Sequence, residues 1–194
     1  MNLILDSDVL VLALHKPRYE YLIENHHKAV NLFKSCIEGT NSLYLPTTVA
    51  IEVPIVLVRA TNKKYTTKAL KRLYATAVEI YPFASDATAN LFFASTSGIY
   101  FSLCQENAIK IAKIKKDAQD SIVPGFKKDL TEVKISGMDI FVLTYAELKN
   151  AILITNDWSL WYVSWKSGVK SYWLSGLSEN QQEKISNEEV VEYP

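Results

Sequence analysis

The chain predicts an α/β fold, one domain built on a central parallel sheet with helices on both faces. Three observations lead there. Residues 3–5 and 151–155 are short, continuous apolar runs of strand length. Strands covered on both sides require such runs, whereas a half-exposed strand alternates with polar residues. Longer segments with apolar residues at helical spacing, such as Ala29, Val30, Phe33 and Ile37, lie between the strand-like runs; alternation of this kind argues for a parallel sheet. Finally, 194 residues suffice for one well-packed domain and are short for two.

In chain order, Leu3, Ile4 and Leu5 read as a buried strand that runs into a helix at Val9, Leu10, Val11 and Leu12. A helix over 26–37 is stopped by Gly39. Residues 42–45 form a short strand closed by Pro46, and Thr47 or Thr48 can cap a helix beginning near Val49. That helix sits awkwardly, because 49–58 is rich in β-branched residues and Pro54 removes a backbone hydrogen bond. Residues 66–80 read as the next helix and 85–103 as another, interrupted at Gly98.

The 105–135 stretch reads as a lengthened helical and loop insertion, Lys-rich at first, with turn chemistry at Pro124 and Gly125. Ser136, Gly137, Met138 and Asp139 fit the start of a capping box, with Asp139 in the first turn of an apolar helix reaching Lys149. Residues 151–155 are then a buried strand that Asn156 and Asp157 leave, and 169–174 the last strand. The expected organisation is a single domain over 1–174, followed by an acidic tail over 175–194.

Composition is that of an ordinary globular protein, 48% apolar and 22% charged. Net charge is zero, so no overall attraction to a polyanion follows. The charges are nonetheless segregated. Arg59, Lys63, Lys64, Lys68, Lys71 and Arg72 cluster without an intervening acid, and a second Lys-rich group between Lys110 and Lys128 is mixed with aspartates. Glu179, Glu183, Glu188, Glu189 and Glu192 crowd the end. Such segregation suits a polyanion-facing side, although a charge run alone is more often a solvated face. Cys36 and Cys104 have no metal-ligand spacing and read as reduced, buried thiols of a cytoplasmic protein. The apolar start is broken by Asp6 and Asp8 and lacks the flanks of a signal peptide. No run is long enough to span a bilayer, so no membrane partner is expected.

In open α/β sheets, ligands collect where strands end at their carboxyl side. Asp6 and Asp8 follow the first strand and Asp157 follows 151–155, while Asp139 begins the helix that leads into that strand. Glu52 lies one turn into the element after 42–45. Carboxylates converging without basic partners repel, and a hard cation such as Mg²⁺ or Mn²⁺, held by oxygen ligands, is the usual remedy.

The segments LILDSDVLV, PTTVAIEVPIVL and SGMDIFVLTYAELKNAILITND resemble, in order, the motifs of the PIN-domain nucleases. The resemblance covers roughly half the chain and frames nearly all of it. It implies a PIN-like α/β/α sandwich and a catalytic, metal-binding set of Asp6, Glu52, Asp139 and Asp157, with Asp8 as a further ligand or a polar helper. The activity it implies is metal-dependent hydrolysis of RNA phosphodiester bonds with Mg²⁺ or Mn²⁺. Thr155 and Asn156 would orient a ligand or phosphate, and Lys63, Lys64, Lys68 and Lys71 would bind flanking phosphates of the RNA. A homodimer, and a toxin role with a protein antitoxin as partner, are further expectations of the resemblance. Asp8 stands where the family often has Asn, Ser or Thr, and the interval from Glu52 to Asp139 exceeds that of the compact toxin-type members.

Two other readings compete. One keeps the fold as an inactive RNA-binding or protein-docking module. The other takes Asp6, Ser7 and Asp8 as the nucleophile motif of haloacid dehalogenase-like phosphatases. In that family Gly-Thr normally follows the second Asp, where this chain has Val9 and Leu10. His15, His26 and His27 lack metal-motif spacing and read as surface residues. Trp158, Trp161, Tyr162 and Trp165 form a stripe at helical spacing, better read as core or subunit contact than as a base-stacking surface.

Overall fold

The computed structural model describes residues 1–81, 102–114 and 133–187. Five strands, β1 (Asn2–Leu5), β2 (Ser42–Pro46), β3 (Ala77–Tyr81), β4 (Ile152–Thr155) and β5 (Ser171–Trp173), form one sheet in the order β3-β2-β1-β4-β5. Every pairing is parallel. The chain steps outward from β1 to β3, crosses back, and builds β4 and β5 on the other side. The order therefore reverses between β1 and β4, where Leu3, Ile4 and Leu5 pair with Ile152, Leu153 and Ile154. These two central strands are buried along nearly their whole length, as their uninterrupted apolar sequences require.

Helices flank the sheet: α1 (Ser7–Leu14), α2 (Ile23–Ile37), α3 (Thr47–Ala60), α4 (Lys63–Thr76), α5 (residues 102–114), α6 (Gly137–Leu148), α7 (Trp158–Lys166) and α8 (Glu179–Ser186). Of the stripe expected on α2, Ala29 and Phe33 are buried, but Val30 is half-buried and Ile37 exposed, and Leu32 and Cys36 complete the core face instead; Gly39 takes the left-handed conformation, φ +79°, just beyond the helix. Ser136 and Asp139 form the expected capping box at the start of α6. On α7, Trp158 stacks on Tyr162 inside the protein, at 5.4 Å between ring centroids, and Trp161 stacks on Trp165 at 6.0 Å. Cys36 and Cys104 are buried thiols, and burial pushes the Cys36 thiol up to about 12. His26 donates from Nδ1 to the Leu12 carbonyl at 2.6 Å, a structural use of that ring. No helix among the described residues is long and apolar enough to cross a membrane.

Several expectations need correction or restriction. The awkward helix forms as one piece, with Pro54 inside it. Proline removes the amide that would bond to the Ala50 carbonyl four residues earlier, and the Tyr74 hydroxyl of α4 donates to that carbonyl instead, at 3.1 Å. Neither Thr47 nor Thr48 is the cap: the residue before the helix is Pro46, so both threonines are helical. The 66–80 helix ends at Thr76, and Ala77–Tyr81 is the edge strand β3. Glu79 anchors that edge by accepting from Lys149 Nζ at 2.8 Å and the Tyr145 hydroxyl at 3.1 Å.

The stretch expected to be a solvated tail contains α8, which packs on α2 with Ile185 fully buried. Asn41 donates to the Ile185 carbonyl at 3.0 Å and Gln182 to the Lys28 carbonyl at 3.2 Å, so the domain continues to at least residue 187. Of the 105–135 insertion, α5 is described as helical and is tied to α6: Asn107 Nδ2 donates to Thr144 Oγ1 at 3.0 Å and Glu147 Oε2 at 2.9 Å. The expected helix over 85–103 lies, apart from its last two residues, outside the described residues, as does the turn at Pro124 and Gly125.

Candidate functional site

At the carboxyl edge of the sheet, beside the β1–β4 reversal, a recess of about 440 Å³ is lined by Asp6, Asp8, Glu52, Asp139 and Asp157. Thus all five acids singled out from the sequence share one cavity. Among the described residues no Lys or Arg lines it, and its remaining wall is largely apolar, with Val11, Leu12, Leu22, Val56, Met138 and Val142. A larger groove of about 630 Å³ runs between α2 and α8. Its charges are mixed, and its Lys28 is paired with Glu24 at 2.7 Å, so it lacks the concentration of one sign that marks the acidic recess.

Four of the acids sit at helix starts, Asp8 in the first turn of α1 among them, where unbonded amides and the helix dipole favour a carboxylate. Asp6 is the N-cap of α1, its Oδ1 accepting from the Ser7 amide at 2.7 Å. Asp157 is the N-cap of α7, its Oδ1 accepting from Ser159 at 2.6 Å and Leu160 at 3.3 Å. Asp139 Oδ2 accepts from the Ser136 amide at 2.6 Å. Glu52 reaches the recess from the second turn of α3, on the same helical face as Thr48, four residues earlier. The parallel register then joins sequence-distant acids. The Asp6 amide donates to the Ile154 carbonyl at 2.9 Å, and the Thr155 hydroxyl donates to Asp6 Oδ2 at 2.9 Å while accepting from the Asp157 amide at 3.0 Å.

Crowding of like charge leaves its mark. Asp6, only 7% exposed, has its carboxyl pushed up to about 8, first by burial and then by repulsion from Asp8. Asp8 is raised to about 6, chiefly by loss of hydration and then by Asp157, Glu52 and Asp139. Its surface nonetheless stays open to solvent at the recess, and water screens the effect there. Asp139 is also raised, by burial first, against the lowering pull of its bonds to Ser136. No three of the described His, Cys, Asp and Glu side chains stand close enough together to hold an ion as placed. The carboxylates share a cavity and a field, while several of their oxygens are turned to capping bonds.

Among the other residues expected here, Thr155 is fully buried. Its hydroxyl is spent on the two aspartates, so it positions acids rather than meeting a ligand. Asn156 does line the recess, with its Oδ1 accepting from the Ser175 hydroxyl at 2.7 Å and Asn25 Nδ2 at 3.4 Å. Lys63, Lys64, Lys68 and Lys71 are exposed on α4 and do not line the acidic recess. Lys68 lies instead in a smaller hollow with Ala13, Leu14, Tyr65, Ala69 and Arg72. Thr48 was missed as a site residue. Thr48 lines the recess and its hydroxyl is buried without a hydrogen-bond partner; the Thr48–Glu52 spacing was the available signal. Asn25 and Ser175 were missed too, and no local pattern marks them.

No family model matches the chain, and no curated protein matches it.

Proposed function

We propose that the protein is a metal-dependent endoribonuclease, hydrolysing RNA phosphodiester bonds at the acidic recess. The observation that carries this reading is the convergence of five carboxylates, without a basic neighbour among the described residues, at the carboxyl edge of a parallel sheet beside its order reversal. The donor set fits a hard divalent cation such as Mg²⁺ or Mn²⁺, which takes carboxylate and hydroxyl oxygens. The unpartnered Thr48 hydroxyl and the raised carboxyls of Asp6 and Asp8 mark a place where positive charge is wanted. Asp6, Glu52, Asp139 and Asp157 would hold the cation, with Asp8 at the open side. When bound, such an ion acidifies water and neutralises charge on the reacting phosphate.

The chain's own residues supply orientation. Thr155 and the Ser7 amide fix both oxygens of Asp6, and the first amides of α7 fix one oxygen of Asp157. These bonds restrict where the two carboxylates can point, so the movement left for them to close on a cation is small. The apolar wall of Val11, Leu12, Leu22 and Val142 limits bulk water and strengthens each electrostatic interaction inside.

The test is cleavage of an unstructured RNA in Mg²⁺ or Mn²⁺ against chelator, for wild type and Asp139→Asn. The variant keeps an oxygen for the Ser136 cap and removes an anionic ligand, so it is expected to fold and to lose cutting. Undiminished cutting by Asp139→Asn would remove the acidic recess as the active site. Binding without cutting by wild type would favour the docking module, and hydrolysis of a generic phosphate monoester alone would favour the phosphatase.

A further inference from the structure

We propose that the loop over residues 15–22 is a base-stacking platform which makes the recess selective for unpaired RNA; this deepens, and rests on, the nuclease reading above. Tyr19 and Tyr21 are 65% and 76% exposed, the two most exposed large apolar side chains among the described residues. They stack on one another, centroids 5.6 Å apart and planes 26° from parallel. Each is thereby held flat while keeping most of its surface in water.

The platform is one residue along the chain from the wall of the recess. Leu22, the residue after Tyr21, lines the recess, and one peptide step carries the backbone only about 3.8 Å. The 3-10 turn Glu20–Leu22 begins at Tyr19, whose carbonyl accepts from the Leu22 amide at 3.1 Å. That bond fixes the loop's path from the tyrosines to the recess wall.

The charge around the platform suits a phosphate backbone. Lys16 and Arg18 are exposed in the same loop, and Glu20 is its only acid. The loop leaves α1 at Leu14, whose carbonyl accepts from the Tyr65 hydroxyl of α4. Lys68 and Arg72 line the hollow against that same Leu14. Among the described residues none of these four cations forms an ion pair. The basic cluster of α4, which does not reach the acids, thus meets the loop that does.

An unpaired base offers a free π-face to an aromatic ring, and stacking of this kind is strong and tolerant of sequence. A base held in a duplex has both faces occupied and cannot take the site without being unstacked. The arrangement therefore discriminates strandedness rather than sequence.

The test measures fluorescence anisotropy of a short unstructured labelled RNA, and of the same RNA in a duplex, with Mg²⁺ in an Asp139→Asn background. Replacing both tyrosines by alanine is expected to weaken single-strand binding at least about fivefold, and replacing both by phenylalanine by less than about twofold, because a stack is lost only in the former. Duplex binding is expected to stay unchanged in both. Unchanged single-strand affinity in the alanine pair, an equal loss on the duplex, or a phenylalanine pair as weak as the alanine pair would each overturn the platform. Cleavage by the protein with intact acids separates the two readings. If it cuts RNA while the alanine pair binds normally, the platform alone falls. If it cuts nothing while the alanine pair still loses single strands selectively, the nuclease alone falls.

Discussion

Replacing Asp6 with asparagine should flatten the pH dependence of stability in the metal-free protein. The native carboxyl is pushed from 3.8 to about 8. Between those values the native state holds a proton that the unfolded chain has released. Stability changes with pH in proportion to protons bound by the unfolded state minus those bound by the native state. That difference is negative here, so metal-free stability is greatest at low pH and falls as pH rises through the window. The slope is at most about 1.4 kcal/mol per pH unit for one proton, and summed from about pH 5 to pH 8 it costs on the order of 3–4 kcal/mol. At roughly 2–4 °C per kcal/mol for a chain of this size, the midpoint should fall by about 10 °C.

Asparagine keeps an oxygen for the Ser7 amide, but its NH₂ faces the Thr155 hydroxyl that Asp6 Oδ2 now accepts from. Losing that acceptor costs about 1 kcal/mol. The variant should therefore be slightly less stable than wild type near pH 5 and clearly more stable near pH 8, with the two curves crossing. Urea melts in chelator at successive pH values measure this directly. With Mn²⁺ present the wild-type slope should flatten or reverse, because the ion selects the ionised acids. Parallel curves for wild type and Asp6→Asn in chelator would refute the buried, repelled carboxyl.

Two further outcomes follow. Asp157→Asn preserves an oxygen for the Ser159 and Leu160 amides and removes one charge; it should melt within a few degrees of wild type in chelator yet show a smaller Mn²⁺-induced rise, whereas equal rises over a full titration would remove Asp157 from the site. Ile185→Ala should cost about 2–5 kcal/mol in a urea melt, because the side chain is fully buried between α8 and its surroundings; an effect within experimental error would return residues 179–186 to the status of a dispensable tail.

Much of this molecule was legible wherever the signal is local. The capping box of Ser136 and Asp139 depends on residues three apart and needs nothing from the rest of the chain, whereas the α2 stripe was half legible: Ala29 and Phe33 are core, but packing chose Leu32 and Cys36 over Val30 and Ile37. The edge strand β3 was not legible. Alone, residues 77–81 continue the helix before them about as well as they form a strand, and pairing with β2 and the Lys149–Glu79 contact decide between the two. Pro54 misled for a similar reason: whether a helix tolerates proline depends on who satisfies the freed carbonyl, and that partner, Tyr74, is on another helix.

Sequence by itself determined the α/β class, the two central strands, and which acids follow strands or open helices. Those properties follow from apolar periodicity and from the chemistry of a few adjacent backbone amides. Only tertiary structure decided that Asp6 and Asp157, 151 positions apart in the chain, share the Thr155 hydroxyl, that Thr48 joins them, and that Leu22, next to the exposed Tyr21, lines the same recess. The β1–β4 register made those neighbours, since strand pairing sets distances between residues that no local interaction connects.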